Sequence, residues 1–139
     1  MIKILIVNAD KEFTEDIKIN FEMYQQDCTV TSINSGTKCL DILNSKDDAD
    51  IVIVGSNLPD MPSLDLIRQI RDDSDVIIVL ISQYKDLPTL VKAFEVGAND
   101  CVAQPANMFL FVTRLKTLLR RQHWDKQARE NKRFRNACH

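Results

Sequence analysis

Asp50-Ile51-Val52-Ile53-Val54-Gly55-Ser56-Asn57-Leu58-Pro59-Asp60-Met61-Pro62-Ser63 decides the fold. Four consecutive β-branched residues without polar alternation predict a strand covered on both faces, as in a parallel sheet. The strand ends at Gly55, and a turn through Pro59 and Asp60 leads into an amphipathic segment, Ser63–Arg71, with apolar residues at helical spacing.

The same strand-then-helix unit recurs on both sides. Lys3–Val7, Thr29–Ile33, Val76–Ile81 and Cys101–Ala103 read as further strands. Lys11–Gln25, Thr37–Asn44 and Leu87–Val96 read as helices, and a last helix starts near Asn107. Asp10 and Ser35 are placed to cap helix starts and Gly97 to cap a helix end. Five such units with right-handed crossovers predict an α/β fold: a doubly wound, five-stranded parallel sheet of order 2-1-3-4-5 with five helices. Ligand sites in such sheets lie beyond the carboxyl ends of the strands, near the topological switch point. Here that means Asn8-Ala9-Asp10, Gly55-Ser56, Ser82-Gln83 and Gln104-Pro105.

The chain has 139 residues, 45% of them hydrophobic and 27% charged, which fits one globular domain with an ample core. No apolar run reaches the roughly 18 residues that span a bilayer, so a cytoplasmic protein is expected. Cys28, Cys39, Cys101 and Cys138 are scattered, with no C-x-x-C pair. Reduced thiols are expected, not a zinc site or a disulfide framework. Residues 1–113 carry 9 Lys/Arg against 18 Asp/Glu, whereas residues 114–139 carry 9 against 2. An acidic body therefore bears a basic C-terminal stretch, which raises a nucleic-acid contact as one reading and a solvated helix as another.

Residues 2 to 121 resemble a response-regulator receiver domain of the CheY-like family. The resemblance rests on Leu58-Pro59-Asp60 after the third strand, Glu95-x-Gly97-Ala98-x-Asp100 before the fifth, and Pro105 after it. It implies a site for aspartyl phosphorylation, which needs a carboxylate nucleophile, magnesium held by further carboxylates, a lysine and a hydroxyl. The nucleophile position falls on Gly55. The acidic pair falls on Asn8 and Ala9, the lysine on Gln104, and the switch aromatic on Cys101. Only the hydroxyl survives, as Ser82. The expectation is a degenerate pseudo-receiver with no catalytic residue, no metal and no cofactor. Without the carboxylates' mutual repulsion, one fixed conformation is expected in place of a two-state switch. A rearranged metal site through Asp10 is the competing reading; the helix cap is preferred, since one carboxylate makes a poor magnesium site.

Function then moves to surfaces. The resemblance implies a symmetric dimer face on the fourth helix, fifth strand and fifth helix. Asp100 and Arg114 match a family charge pair, and Lys92 and Lys116 lie on the same elements. A second family pair is replaced on both sides by leucine, Leu90 and Leu110, which suggests an apolar contact or, alternatively, packing within the domain. No Gly or Pro follows Ala106, so the last helix is expected to run on through His123–Arg129, past Trp124. Residues 1–121 are read as the receiver-like domain and 122–139 as a basic helical extension or linker. Glu130–Arg135 is similar to the helical entry into a PAS sensory domain.

The expected function is a non-enzymatic, phosphorylation-independent dimerisation or protein-docking module in two-component-type signalling or transcription regulation. The alternative is the front module of a larger hybrid sensor, or of a DNA-binding regulator whose tail (Arg120, Arg121, Lys126, Arg129, Lys132, Arg133) contacts nucleic acid.

Overall fold

The computed structural model describes residues 2–8, 10–24, 28–45, 49–82, 87–103 and 107–137, with backbone alone for Tyr24 and for 123–137. Ten elements alternate: β1 (Ile2–Val7), α1 (Lys11–Tyr24), β2 (Cys28–Ile33), α2 (Gly36–Asn44), β3 (Ile51–Gly55), α3 (Ser63–Asp73), β4 (Ile77–Ser82), α4 (Leu87–Val96), β5 (Asp100–Ala103) and α5 (Met108–Ala137). All strand pairings are parallel, in the order β2-β1-β3-β4-β5. The doubly wound sheet expected from the Ile/Val runs is the one observed.

The two-residue period of the strands divides the core in two. Ile4, Ile6, Ile51, Ile53, Ile77, Val79 and Ile81 point to one face, where Phe13, Ile17 and Phe21 of α1 and Phe111, Val112 and Leu115 of α5 cover them. Leu5, Val7, Val52, Val54, Ile78 and Leu80 point to the other, under Leu66, Ile67 and Ile70 of α3, Cys39 of α2 and Ala93 of α4. Every residue of β3 and β4 is buried. β2 is an edge strand and keeps Thr29, Thr31 and Ser32 exposed.

Side chains and one glycine set the helix ends. Asp10 Oδ1 accepts from the N–H groups of Glu12 (3.1 Å) and Phe13 (3.2 Å), starting α1. Ser35 Oγ accepts from Lys38 N–H at the start of α2. At the end of α4, Gly97 N–H donates to Phe94 O and Ala98 N–H to Ala93 O, the two bonds of a Schellman cap. Gly97 has φ +119°, which only glycine adopts without strain. Arg71 locks this turn from α3: Nε and Nη2 donate to Gly97 O (3.0 and 2.8 Å), and Nη2 also reaches Asn99 Oδ1 (2.8 Å).

α5 continues past the sheet for 30 residues in all, about 45 Å at 1.5 Å per residue. Leu118 and Leu119 pack against the core margin, and Gln122 Nε2 donates to Asp75 O at 3.4 Å. The expected continuation of the last helix is therefore present. Trp124 lies where the backbone alone is described.

Candidate functional site at the carboxyl ends of the strands

Strand register brings the expected site residues together. Val7 pairs with Val54, Gly55 with Ile81, and Ser82 with Ala103, so the strand ends align along one edge of the sheet. Asn8 follows β1 directly, Gly55 closes β3, and Ser82, buried, closes β4. Ala9, Gln83, Gln104, Pro105 and Cys138 lie outside the described residues.

Gly55 is not beside an empty space. A Cβ built on it would lie 2.7 Å from Asn8 Cγ and closer still to Asn8 Oδ1. The Asn8 carboxamide therefore stands where a side chain at position 55 would emerge, and its Oδ1 accepts from Asp10 N–H at 3.3 Å. Ser63, buried in the first turn of α3, donates its hydroxyl to Gly55 O. The backbone at position 55 is thus pinned from the following helix. Sequence reading missed Ser63, because its bond spans eight residues and depends on how the loop folds back.

These donors do not fit magnesium. Asn8 offers one carbonyl oxygen, Gly55 has no side chain, and Ala9 has no ligand atom, whereas Mg²⁺ wants near-octahedral oxygen. Asp10 uses Oδ1 for the two cap bonds of α1. Among the described residues no three His, Cys, Asp or Glu side chains form a metal-binding group.

Asp60 does more than occupy a turn. Its carboxylate accepts from Thr37 Oγ1 (2.7 Å), Thr37 N–H (2.9 Å), Gly36 N–H (3.0 Å) and Ser35 Oγ (2.9 Å). A single carboxylate caps α2 and ties it to the loop after β3. The Thr37 hydroxyl foremost, then the Thr37 and Gly36 N–H groups, hold the carboxyl well below its usual 3.8. A folded-state pKa depressed in this way stabilises the fold fully above the unfolded value and loses that contribution as pH falls below it. Asp60→Asn should therefore melt below the wild type at pH 7, and the gap should narrow below about pH 4. Circular-dichroism melts at pH 7, 5, 4 and 3 measure this. A gap that stays constant down to pH 3 would refute the latch.

Cys28, Cys39 and Cys101 are free thiols. Burial raises the Cys39 thiol to about 12. Burial, then Asp100, raises that of Cys101, which is half-buried in β5 against the α3/α4 side of the core.

On the α4, β5 and α5 side, Leu90 and Leu110 are 37% and 57% exposed, so neither packs inside the domain. Leu87, Val91 and Phe94 are also exposed. Together with Leu90 they sit at i, i+3, i+4 and i+7, one face of α4. Asp100 and Arg114, expected from the resemblance as partners across a dimer, pair within the chain at 3.2 Å. Lys92 is two residues from Leu90, and Lys116 two from Arg114. Lys92 is turned about 160° around its helix from Leu90, and Lys116, six residues beyond Leu110, about 120° from Leu110, so neither shares the apolar face.

Five parallel strands in this order, with a site at the β1/β3 switch point, define a flavodoxin-like α/β domain of the receiver type. The chain belongs to the response regulator receiver domain family, whose model matches residues 4–116. It is 28% identical over 131 residues to the transcriptional regulatory protein CpxR of Escherichia coli K12, covering 94% of this chain and 55% of that protein. The chain thus spans about half the length of the curated relative it matches. The beryllofluoride-activated receiver domain of DrrB superposes with a TM-score of 0.74 at 26% identity, over 86% of this chain and 98% of that one. The signal receiver domain of a Luxo repressor protein from Vibrio parahaemolyticus gives 0.82 at 16% identity, over 91% and 95%. Among the described residues no helix is long and apolar enough to cross a membrane.

Proposed function

We propose that this receiver domain works without phosphorylation, as a constitutive dimerisation module in two-component-type signalling or transcription regulation. The observation that carries this reading is the Asn8 carboxamide in the volume a side chain at position 55 needs. With no nucleophile, with Ser63 holding Gly55 O and with Asp60 tying α2 to the loop after β3, the domain on this reading has one fixed conformation in place of a switch selected by a phosphoryl group.

The α4 stripe and Leu110 support the assembly half of the reading. An apolar face at helical spacing, with leucines in place of an ion pair, forms a contact without desolvating charge. A second copy is its natural occupant, because a twofold contact needs one self-complementary patch. Sedimentation velocity with and without magnesium and beryllofluoride, a mimic of aspartyl phosphate, tests both halves. A dimer unchanged by the additives is expected; a monomer that dimerises only with them would overturn the reading.

One observation favours a second reading. α5 runs to Ala137 and residues 114–139 carry 9 basic side chains against 2 acidic, so the helix could lie along nucleic acid while leading into a further domain. Steeply salt-dependent DNA binding supports it, and no binding at low salt removes it.

A further inference from the structure

The carboxyl ends of β1 and β2 also open onto a cleft of about 440 Å³, separate from the Gly55 position. Lys11 of α1 and Lys38 of α2 line it, with Asn8, Ser32, Asn34 and Glu15. Residues 1–113 are strongly acidic, so two lysines at one cleft run against the average. Among the described residues neither ammonium group has a carboxylate partner. Another cavity, about 530 Å³ between α2 and α3, carries Asp72 and Asp73 and no cation.

We propose that this cleft binds a small phosphate monoester with free hydroxyls, a sugar or nucleoside monophosphate. Lysine ammonium groups are compact point charges suited to a densely charged phosphate. Asn8 uses its Oδ1 on Asp10 N–H, which leaves its amide N–H₂ as a donor beside the Ser32 hydroxyl and Asn34. The helix N–H groups nearby are already spent: Asp10 takes those of Glu12 and Phe13, and Asp60 those of Gly36 and Thr37. Recognition therefore falls to side chains. Glu15 disfavours a bare anion and accepts from hydroxyls, which selects an ester over free phosphate. The cleft lies on the carboxyl-end side of the sheet, between β1 and β2, one strand away from the β1/β3 switch point. Asn8 lines the cleft and fills the Gly55 volume, so a ligand here touches the side chain that plugs the old site. The binding itself does not depend on the dimer reading.

The test is a two-dimensional ¹H–¹⁵N titration of the full chain with ribose 5-phosphate, inorganic phosphate and ribose at constant ionic strength. Saturable shifts at residues 8, 11, 32–34 and 38 are expected, tighter for ribose 5-phosphate than for phosphate and absent for ribose. The Lys11→Ala/Lys38→Ala double variant should bind at least about tenfold more weakly with an unchanged melting midpoint, since both lysines are exposed. Shifts that track the basic residues of α5 and persist in the double variant would overturn the site. Equal binding of phosphate and ester, unaltered by Glu15→Ala, would overturn the hydroxyl-bearing ester as its ligand.

Discussion

Leu110→Asp is expected to turn a dimer into a monomer at micromolar concentration, and Leu90→Asp to do the same. In a twofold contact each substitution appears twice. A buried leucine contributes roughly 1.5–3 kcal/mol, so one substitution removes about 3–6 kcal/mol before the cost of placing carboxylates in an apolar contact. At 1.4 kcal/mol per tenfold, the dissociation constant rises about 10²- to 10⁴-fold. The fold should survive, because Leu110 is 57% exposed in the single chain and surface substitutions usually stay within about 0.5 kcal/mol.

Two controls separate this contact from an electrostatic one. Arg114→Ala breaks only an ion pair within the chain, whose arginine is about half exposed; such pairs contribute about 0–1 kcal/mol, so dimerisation should change little. Raising the salt should leave the dimer intact, since screening weakens surface charge pairs and not apolar burial. A dimer that persists in both leucine variants, or one that dissolves in salt, would move the interface elsewhere.

The sheet was legible because its information is local. Ile51–Val54 and Val76–Ile81 carry their own period, and Asp10, Ser35 and Gly97 punctuate it within four residues of the groups they cap. That Gly55 stands where the resemblance puts a nucleophile needed no structure either, since it is a residue identity at a motif position. What replaces it was not. Asn8 fills the Gly55 volume across 47 residues of chain, and Asp60 reaches back 23 to 25 residues to cap α2. Such contacts exist only once the strands are in register. The fate of Leu90 and Leu110 was undecidable for a related reason: an apolar residue on a helix looks the same in sequence whether it faces the core or solvent. The angular separation of Lys92 and Lys116 from that face, by contrast, follows from helix geometry alone.

On the phosphorylation-independent function proposed above, installing phosphoryl chemistry should take several substitutions, and Gly55→Asp alone should install none. The new side chain has to displace the Asn8 carboxamide together with its bond from Asp10 N–H; this is a side-chain group and not backbone, so Gly55→Asp should fold with some loss of stability. It would still lack the metal: one new carboxylate beside the Asn8 carbonyl is short of the oxygen set magnesium wants. Adding Asn8→Asp, Ala9→Asp and Gln104→Lys supplies the carboxylates and the cation that the receiver resemblance assigns to these positions, with Ser82 at its hydroxyl position. Three carboxylates crowded together repel one another and resist ionising together, so this quadruple variant should melt lower than the wild type without magnesium. Metal binding then returns stability, about 2.7 kcal/mol at a hundred times the dissociation constant. The expected signature is a melting midpoint that rises with magnesium in the quadruple variant and not in the wild type, together with phosphate uptake from acetyl phosphate in that variant alone. Uptake by the wild type, lost in Asp10→Ala, would put a working metal ligand at Asp10. That would require Asp10 to hold a metal while its Oδ1 also caps α1, and the constitutive reading would fall with it.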